Sequence, residues 1–155
     1  MIRKTIPKIK AILRKALLDG VTPRSLALSA AIGVYIAFSP FPGAHTVMML
    51  AAKWLLRLHL PTLFIMTSIN NPWTMIPFFS LDYAFGYWLV HGLFGWSPTW
   101  TISLAKVFGS GTICLWSFFI GGNILGIVAG LAAYPVMLFI FNRMHAHVVA
   151  RGIDL

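Results

Sequence analysis

Acidic side chains are nearly missing from this chain: Asp19, Asp82 and Asp154 are the whole set in 155 residues. General acid–base chemistry would then rest on Asp82 and His45 alone, so the composition argues against an enzyme. Charge of either sign is scarce, at 10% of residues where soluble domains carry about 25%, while 59% of the chain is hydrophobic. That balance describes an integral membrane protein. The single cysteine, Cys114, excludes an internal disulfide and a cysteine-built metal site, and it reads as a small apolar packing residue. His145 and His147 lie two apart, on different faces of a helix, with no carboxylates beside them; neither a metal nor any other cofactor is expected. Nucleophile elbow, phosphate loop and zinc-protease patterns are all missing. No cleavable signal peptide is expected, because the basic start leads into an amphipathic segment and not into a pure apolar stretch.

What charge there is has a pattern. The net charge of +9 is local, with seven of the twelve Lys and Arg between Arg3 and Arg24. No basic–aromatic recognition module accompanies them, so the partner they fit is anionic lipid and not nucleic acid. In residues 1–20, Ile2, Ile6, Ile9, Leu13 and Leu17 form one apolar stripe, and Arg3, Lys4, Lys8, Lys10, Arg14 and Lys15 project on the other side. The spacing predicts a basic amphipathic helix lying in the headgroup region; the alternative is a helix packed on the protein's own cytoplasmic face. Either way the basic end belongs in the cytoplasm.

Residues 21–155 read as one membrane domain, an all-α helical bundle with broken, re-entrant helices. Thr22-Pro23 is a cap followed by a first-turn proline, so a helix starts near Arg24 and stays apolar to Phe38. About 20 residues are needed to cross the hydrocarbon core, and this run breaks at Pro40 after roughly fifteen. Pro40, Pro42 and Gly43 cannot lie inside a helix, so the backbone breaks there, and a second short helix opening at Ala44 ends in Lys53, Arg57 and His59. Residues 24–58 are therefore expected to form a re-entrant hairpin, with a single kinked crossing as the alternative.

Residues 60–95 read as a second broken helix. Pro61 opens it, Asn70-Asn71-Pro72-Trp73-Thr74 interrupts it, and Asp82 lies inside its far half. The amides and the carbonyl freed by Pro72 need polar company, and the first break is the nearest candidate. Paired interruptions point to a site between discontinuous helices. Residues 97–108, with Trp100, Leu104, Val107 and Phe108, are placed at the outer interface. Residues 111–142 exceed one straight crossing and form either one membrane helix or a pair divided at Gly121-Gly122-Asn123. Gly122, Gly126 and Gly130 make two small-xxx-small steps, for contact either with the protein's own hairpin or with a second copy. Arg143, His145, His147 and Arg151 return the C-terminus to the cytoplasm.

The run Pro23-Arg24-Ser25-Leu26-Ala27, then Ala31 to Pro40, then Gly43-Ala44-His45-Thr46, with Arg57 and Asn71-Pro72-Trp73-Thr74, resembles the family catalogued as domain of unknown function 2062. The resemblance spans Val21 to the C-terminus. It implies a small bacterial inner-membrane protein of unassigned activity, in a family some of whose members look fused to glycosyltransferase-like domains, which hints at lipid-linked sugar or envelope chemistry. His59, where an asparagine is common, and Asp82 depart from the family pattern.

The substrate-binding residues this reading singles out are His45, Thr46, Asn70, Asn71, Thr74, Asp82, Lys53 and Arg57. His45 stands at a helix start that favours anions, as a donor to phosphate or carboxylate, or else is satisfied by a nearby carbonyl. Asn70, Asn71 and Thr74 either line the same cavity or satisfy the backbone freed by Pro72. Asp82 is a functional candidate as the one acid in an apolar segment, or else pairs with Lys53, Arg57 or a tyrosine hydroxyl. The function expected is a transporter or flippase for an anionic lipid or lipid-linked intermediate. The alternative is a membrane scaffold that forms homo-oligomers or recruits a partner membrane protein.

Overall fold

The structure, a computed structural model, describes residues 11–13, 15–16, 20–41, 43–95, 101–103 and 112–152. The first long element, α1 (Pro23–Phe38), begins where the sequence signals it. Thr22 stays extended, its hydroxyl accepts the Ser25 N–H at 3.2 Å, and Pro23 occupies the first turn, where no amide proton is needed. Pro40 ends it by driving Ser39 out of the helical region, to φ −64° and ψ 129°. A turn follows, with Gly43 at φ +86° and the Ala44 N–H bonded to the Phe41 carbonyl at 3.1 Å. Then come α2 (His45–Leu56), stopped at Arg57 in the left-handed region, and α3 (Leu60–Thr67), with Pro61 in its first turn.

α4 (Pro72–Tyr87) is opened by a capping box between Asn71 and Thr74 and continues directly into a π-helical segment, Trp88–Leu93. Among the described residues the elements are helical apart from one small antiparallel hairpin, β1 (Thr101–Ser103) with β2 (Thr112–Cys114), in which Thr101 faces Cys114. The hairpin is the departure from an all-α chain. Trp100, Leu104, Val107 and Phe108 of the expected interfacial segment lie outside the described residues.

α5 (Leu115–Gly152) is one helix of 38 residues. Neither Gly121-Gly122-Asn123 nor Pro135 divides it. Glycine costs about 1 kcal/mol of helix propensity, but tertiary packing overrides propensity, and here the glycines are where other helices press closest. The helix also runs on well past Asn142, through the basic C-terminal segment.

α1 is the central element, packed between α5 and α3. Ala31, Tyr35 and Phe38 lie against Gly130, Gly126 and Gly122 of α5, while Gly33 lets in Met66 and the Leu63 carbonyl of α3. Gly122, Gly126 and Gly130 thus face α1 and the turn after it within the same chain. One apolar cluster joins Leu26, Ala27 and Ala30 of α1 to Phe141 of α5, and a second joins Ile36 to Met49, Leu58 and Leu63. Leu13 and Ala16 are buried in the first cluster, so this end of the N-terminal segment, helical at residues 11–13 and 15–16, packs on the body of the protein. Residues 1–10 of the expected amphipathic helix lie outside the described residues.

Much of the outer surface is apolar. Trp54 is 83% exposed, Trp73 91%, Ile76 72% and Leu131 70%. Large apolar side chains exposed to this degree are costly in water, whereas acyl chains would cover them.

Candidate functional site

One side chain ties the two interruptions together. Asn70, in the bend between α3 and α4, donates from Nδ2 to the carbonyl of Ala37 at 2.6 Å. That carbonyl is in the last turn of α1, where helix ends leave acceptors without intrahelical donors. Asn70 Oδ1 is buried and has no partner among the described residues, and the same holds for Nε2 of His45, the first residue of α2. Thr46 beside it is exposed. Pro40 is buried against the Gly122 position of α5, and Ser39, also buried, donates its hydroxyl to the Met48 sulfur at 3.4 Å. Pro42 lies outside the described residues.

The neighbouring polar residues of the second break are used by the backbone. Asn71 Oδ1 accepts the N–H groups of Trp73 and Thr74 at 3.0 and 3.2 Å. Thr74 Oγ1 accepts the Asn71 N–H at 2.9 Å and donates to the Ile69 carbonyl at 2.6 Å. These two side chains start α4 after Pro72; they stabilise the break rather than line it.

Lys53 and Arg57 are elsewhere. They lie near the opposite end of α2 from His45, about 12 Å or more along the axis, exposed around an open depression shared with Trp54, Leu55 and Leu58. Asp82 is in a third place, fully buried on α4, with neither carboxylate oxygen hydrogen-bonded among the described residues. The expected partners Lys53, Arg57 or a tyrosine do not reach it, because α4 packs along α5.

Some polar contacts escaped the sequence reading. The Tyr35 hydroxyl donates to Asn123 Oδ1 at 3.0 Å, tying α1 to α5. The His59 N–H donates to Ser29 Oγ at 2.8 Å, and its Nδ1 lies 2.8 Å from Thr62 Oγ1. Burial there holds the His59 imidazole below its usual 6.5. Gly86 and Gly121 make the closest approach between α4 and α5, against Ser117 and Asp82 respectively. The four-residue spacing of Ser117 and Gly121, a small-xxx-small step, is the signal that could have found it.

Together these elements define a helical protein in which, among the described residues, one helix, α5, has a stretch, Leu115–His147, long and apolar enough to cross a membrane. The chain belongs to the bacterial family described as "Uncharacterized protein conserved in bacteria (DUF2062)", which matches residues 8–149. No curated protein and no solved structure matches the chain.

Proposed function

We propose that the chain is an integral protein of the bacterial inner membrane that moves an anionic lipid, or a lipid-linked envelope intermediate, between leaflets. The observation that carries this reading is the union of the two breaks: Asn70 bonded to the end of α1, with Asn70 Oδ1 and His45 Nε2 buried beside the breaks and without partners among the described residues. Unused polar groups buried at helix breaks are what a polar headgroup would engage. α1 and α2 have 16 and 12 residues, about 24 and 18 Å, each short of the ~30 Å hydrocarbon core. They therefore enter and leave on one side as a re-entrant hairpin. The exposed Lys53 and Arg57 at its open end gather the headgroup, and both termini are cytoplasmic.

The test is transbilayer movement of a fluorescent anionic lipid in proteoliposomes, with a zwitterionic lipid and protein-free vesicles alongside. The parent should accelerate the anionic lipid alone. His45→Ala should slow it with the melting temperature unchanged. An anionic-lipid rate equal to that of empty vesicles would remove the transport reading. It would leave a non-transporting scaffold, for which the exposed apolar face of α2 around Val47 and Trp54, flanked by Lys53 and Arg57, offers a surface to a partner membrane protein.

A further inference from the structure

Beside their closest contact, α1 and α5 leave a groove. The Gly130 position abuts the Ala31 carbonyl, 3.0 Å from where a Cβ would stand, and next to it lies an open cavity of about 370 Å³. Leu28, Ile32 and Tyr35 of α1 form one wall, and Ile127, Leu131 and Tyr134 of α5 the other. Within each set the residues are spaced four and then three apart, so each wall follows a single helix face, and the groove is about 10 Å long. Its lining is almost wholly apolar, and the Tyr35 hydroxyl at its far end is taken by Asn123 at 3.0 Å.

Arg24 heads this groove. It is one turn before Leu28 on the same face of α1, it is exposed, and its side chain makes no ion pair or hydrogen bond among the described residues. The contacts of Ala31 with Gly130, Tyr35 with Gly126 and Phe38 with Gly122 run antiparallel, and carried two turns further they set Arg24 level with Met137. From Leu115 to Met137 is about 33 Å along α5, the thickness of a hydrocarbon core, so Arg24 falls where headgroups begin and the groove descends from it among the acyl chains. Lys15, exposed beside the buried Leu13 and Ala16, and Arg143 add positive charge at the same end. Neither α1 nor α5 carries an acid to offset it.

We infer that this groove holds one acyl chain of an anionic phospholipid, with the lipid phosphate against Arg24. Charge decides between the occupants. A zwitterionic lipid brings a cation along with its phosphate. A second copy of the chain, set on the groove by a two-fold axis along the membrane normal, would bring its own Arg24, Lys15 and Arg143 to the same level, cation against cation with no acid on either helix to compensate. An anionic headgroup neutralises the basic end while its chain covers the apolar walls. The lipid is held and not moved, so the inference rests on the membrane reading and needs no transport.

The experiment uses the full chain in phosphatidylcholine nanodiscs doped with a phosphatidylglycerol, or a phosphatidylcholine, that carries a diazirine in its acyl chain; peptide mass spectrometry identifies the residues labelled on illumination. The glycerol lipid should label the groove walls in preference to the choline lipid. Unlabelled phosphatidylglycerol should displace it, and the fraction that halves the labelling should rise about fivefold in Arg24→Gln, the worth of one basic residue at an anionic surface. Leu28→Trp, which fills the groove from an exposed position, should reduce labelling of Ile127 and Leu131 with the melting temperature unchanged. Equal labelling of the walls by the two probes would show surrounding lipid only and overturn the inference, as would a displacement curve unmoved in Arg24→Gln. If that variant does not fold, the comparison of the two probes on the parent decides. Efficient disulfide formation between copies carrying Ile127→Cys in a Cys114→Ser background would put a second copy in the groove and overturn it too. A chain that does not enter the discs overturns the membrane reading with it, whereas equal labelling of an inserted chain overturns this inference alone.

Discussion

Replacing Gly86 by alanine tests the α4–α5 crossing most directly. The added Cβ would land on the Ser117 carbonyl, with the Gly121 amide nitrogen next to it. Both obstacles are backbone atoms within one stretch of α5, so neither can turn aside as a side chain would, and the two helices must separate. Separation also loosens the edge-to-face contact of Phe79 with Phe118, whose ring centroids are 5.1 Å apart at this interface. Overpacking of a tight interior costs about 1–3 kcal/mol, and a rigid obstacle places this case at the upper end, about 3 kcal/mol. At about 2–4 °C per kcal/mol for a chain of this size, the melting temperature should fall by about 6–12 °C. Gly121→Ala, which meets the Asp82 carbonyl, should behave alike, and the double variant should lose less than the sum because one separation serves both methyl groups. Gly92→Ala is the control: its nearest neighbour is the Trp88 side chain at 3.5 Å, so it should be silent or slightly stabilising. Thermal unfolding in detergent, read by tryptophan fluorescence, decides the matter. A Gly86→Ala variant that melts with the parent and with Gly92→Ala would refute the close crossing.

Three further outcomes follow from the contacts described. Because burial keeps the His59 imidazole below 6.5, the unfolded chain takes up a proton that the folded chain resists; stability is complete above pH 6.5 and declines as pH falls below it. Melting curves from about pH 8 to about pH 5 should show that slope reduced in His59→Gln, and an unchanged slope would exclude His59 as its source. Asn71→Ala removes the cap of α4 and should cost about 0.5–2 kcal/mol, with Asn71→Ser close to the parent; equal melting temperatures for parent and alanine variant would contradict the cap. Single cysteines placed near each terminus, in a Cys114→Ser background, should be labelled from the cytoplasmic side alone, and labelling of an N-terminal cysteine from outside would reverse the proposed orientation.

The parts of this protein that the sequence determined by itself are those whose causes act within a few residues. Thr22-Pro23 starts α1, Pro40 stops it, Gly43 turns the chain, and Asn71-Pro72 with Thr74 starts α4, because caps and prolines act on the backbone beside them. The apolar run of α5 marks a helix long enough for a membrane by composition alone. What only the tertiary structure decided depends on partners far away along the chain. Asn70 reaches back 33 residues to Ala37, and Tyr35 reaches forward 88 to Asn123. Gly121 and Gly122 look like a helix breaker in sequence, yet α5 passes through them unbroken, since the space they leave is filled by the backbones of α4 and α1. The expected site residues likewise fall into three places and not one. His45 and Asn70 remain beside the breaks, Asn71 and Thr74 are used in capping, Lys53 and Arg57 sit at the exposed end of α2, and Asp82 is buried on α4, which packs along α5. Spacing along a chain cannot distinguish these fates, because each depends on which helix faces set against one another.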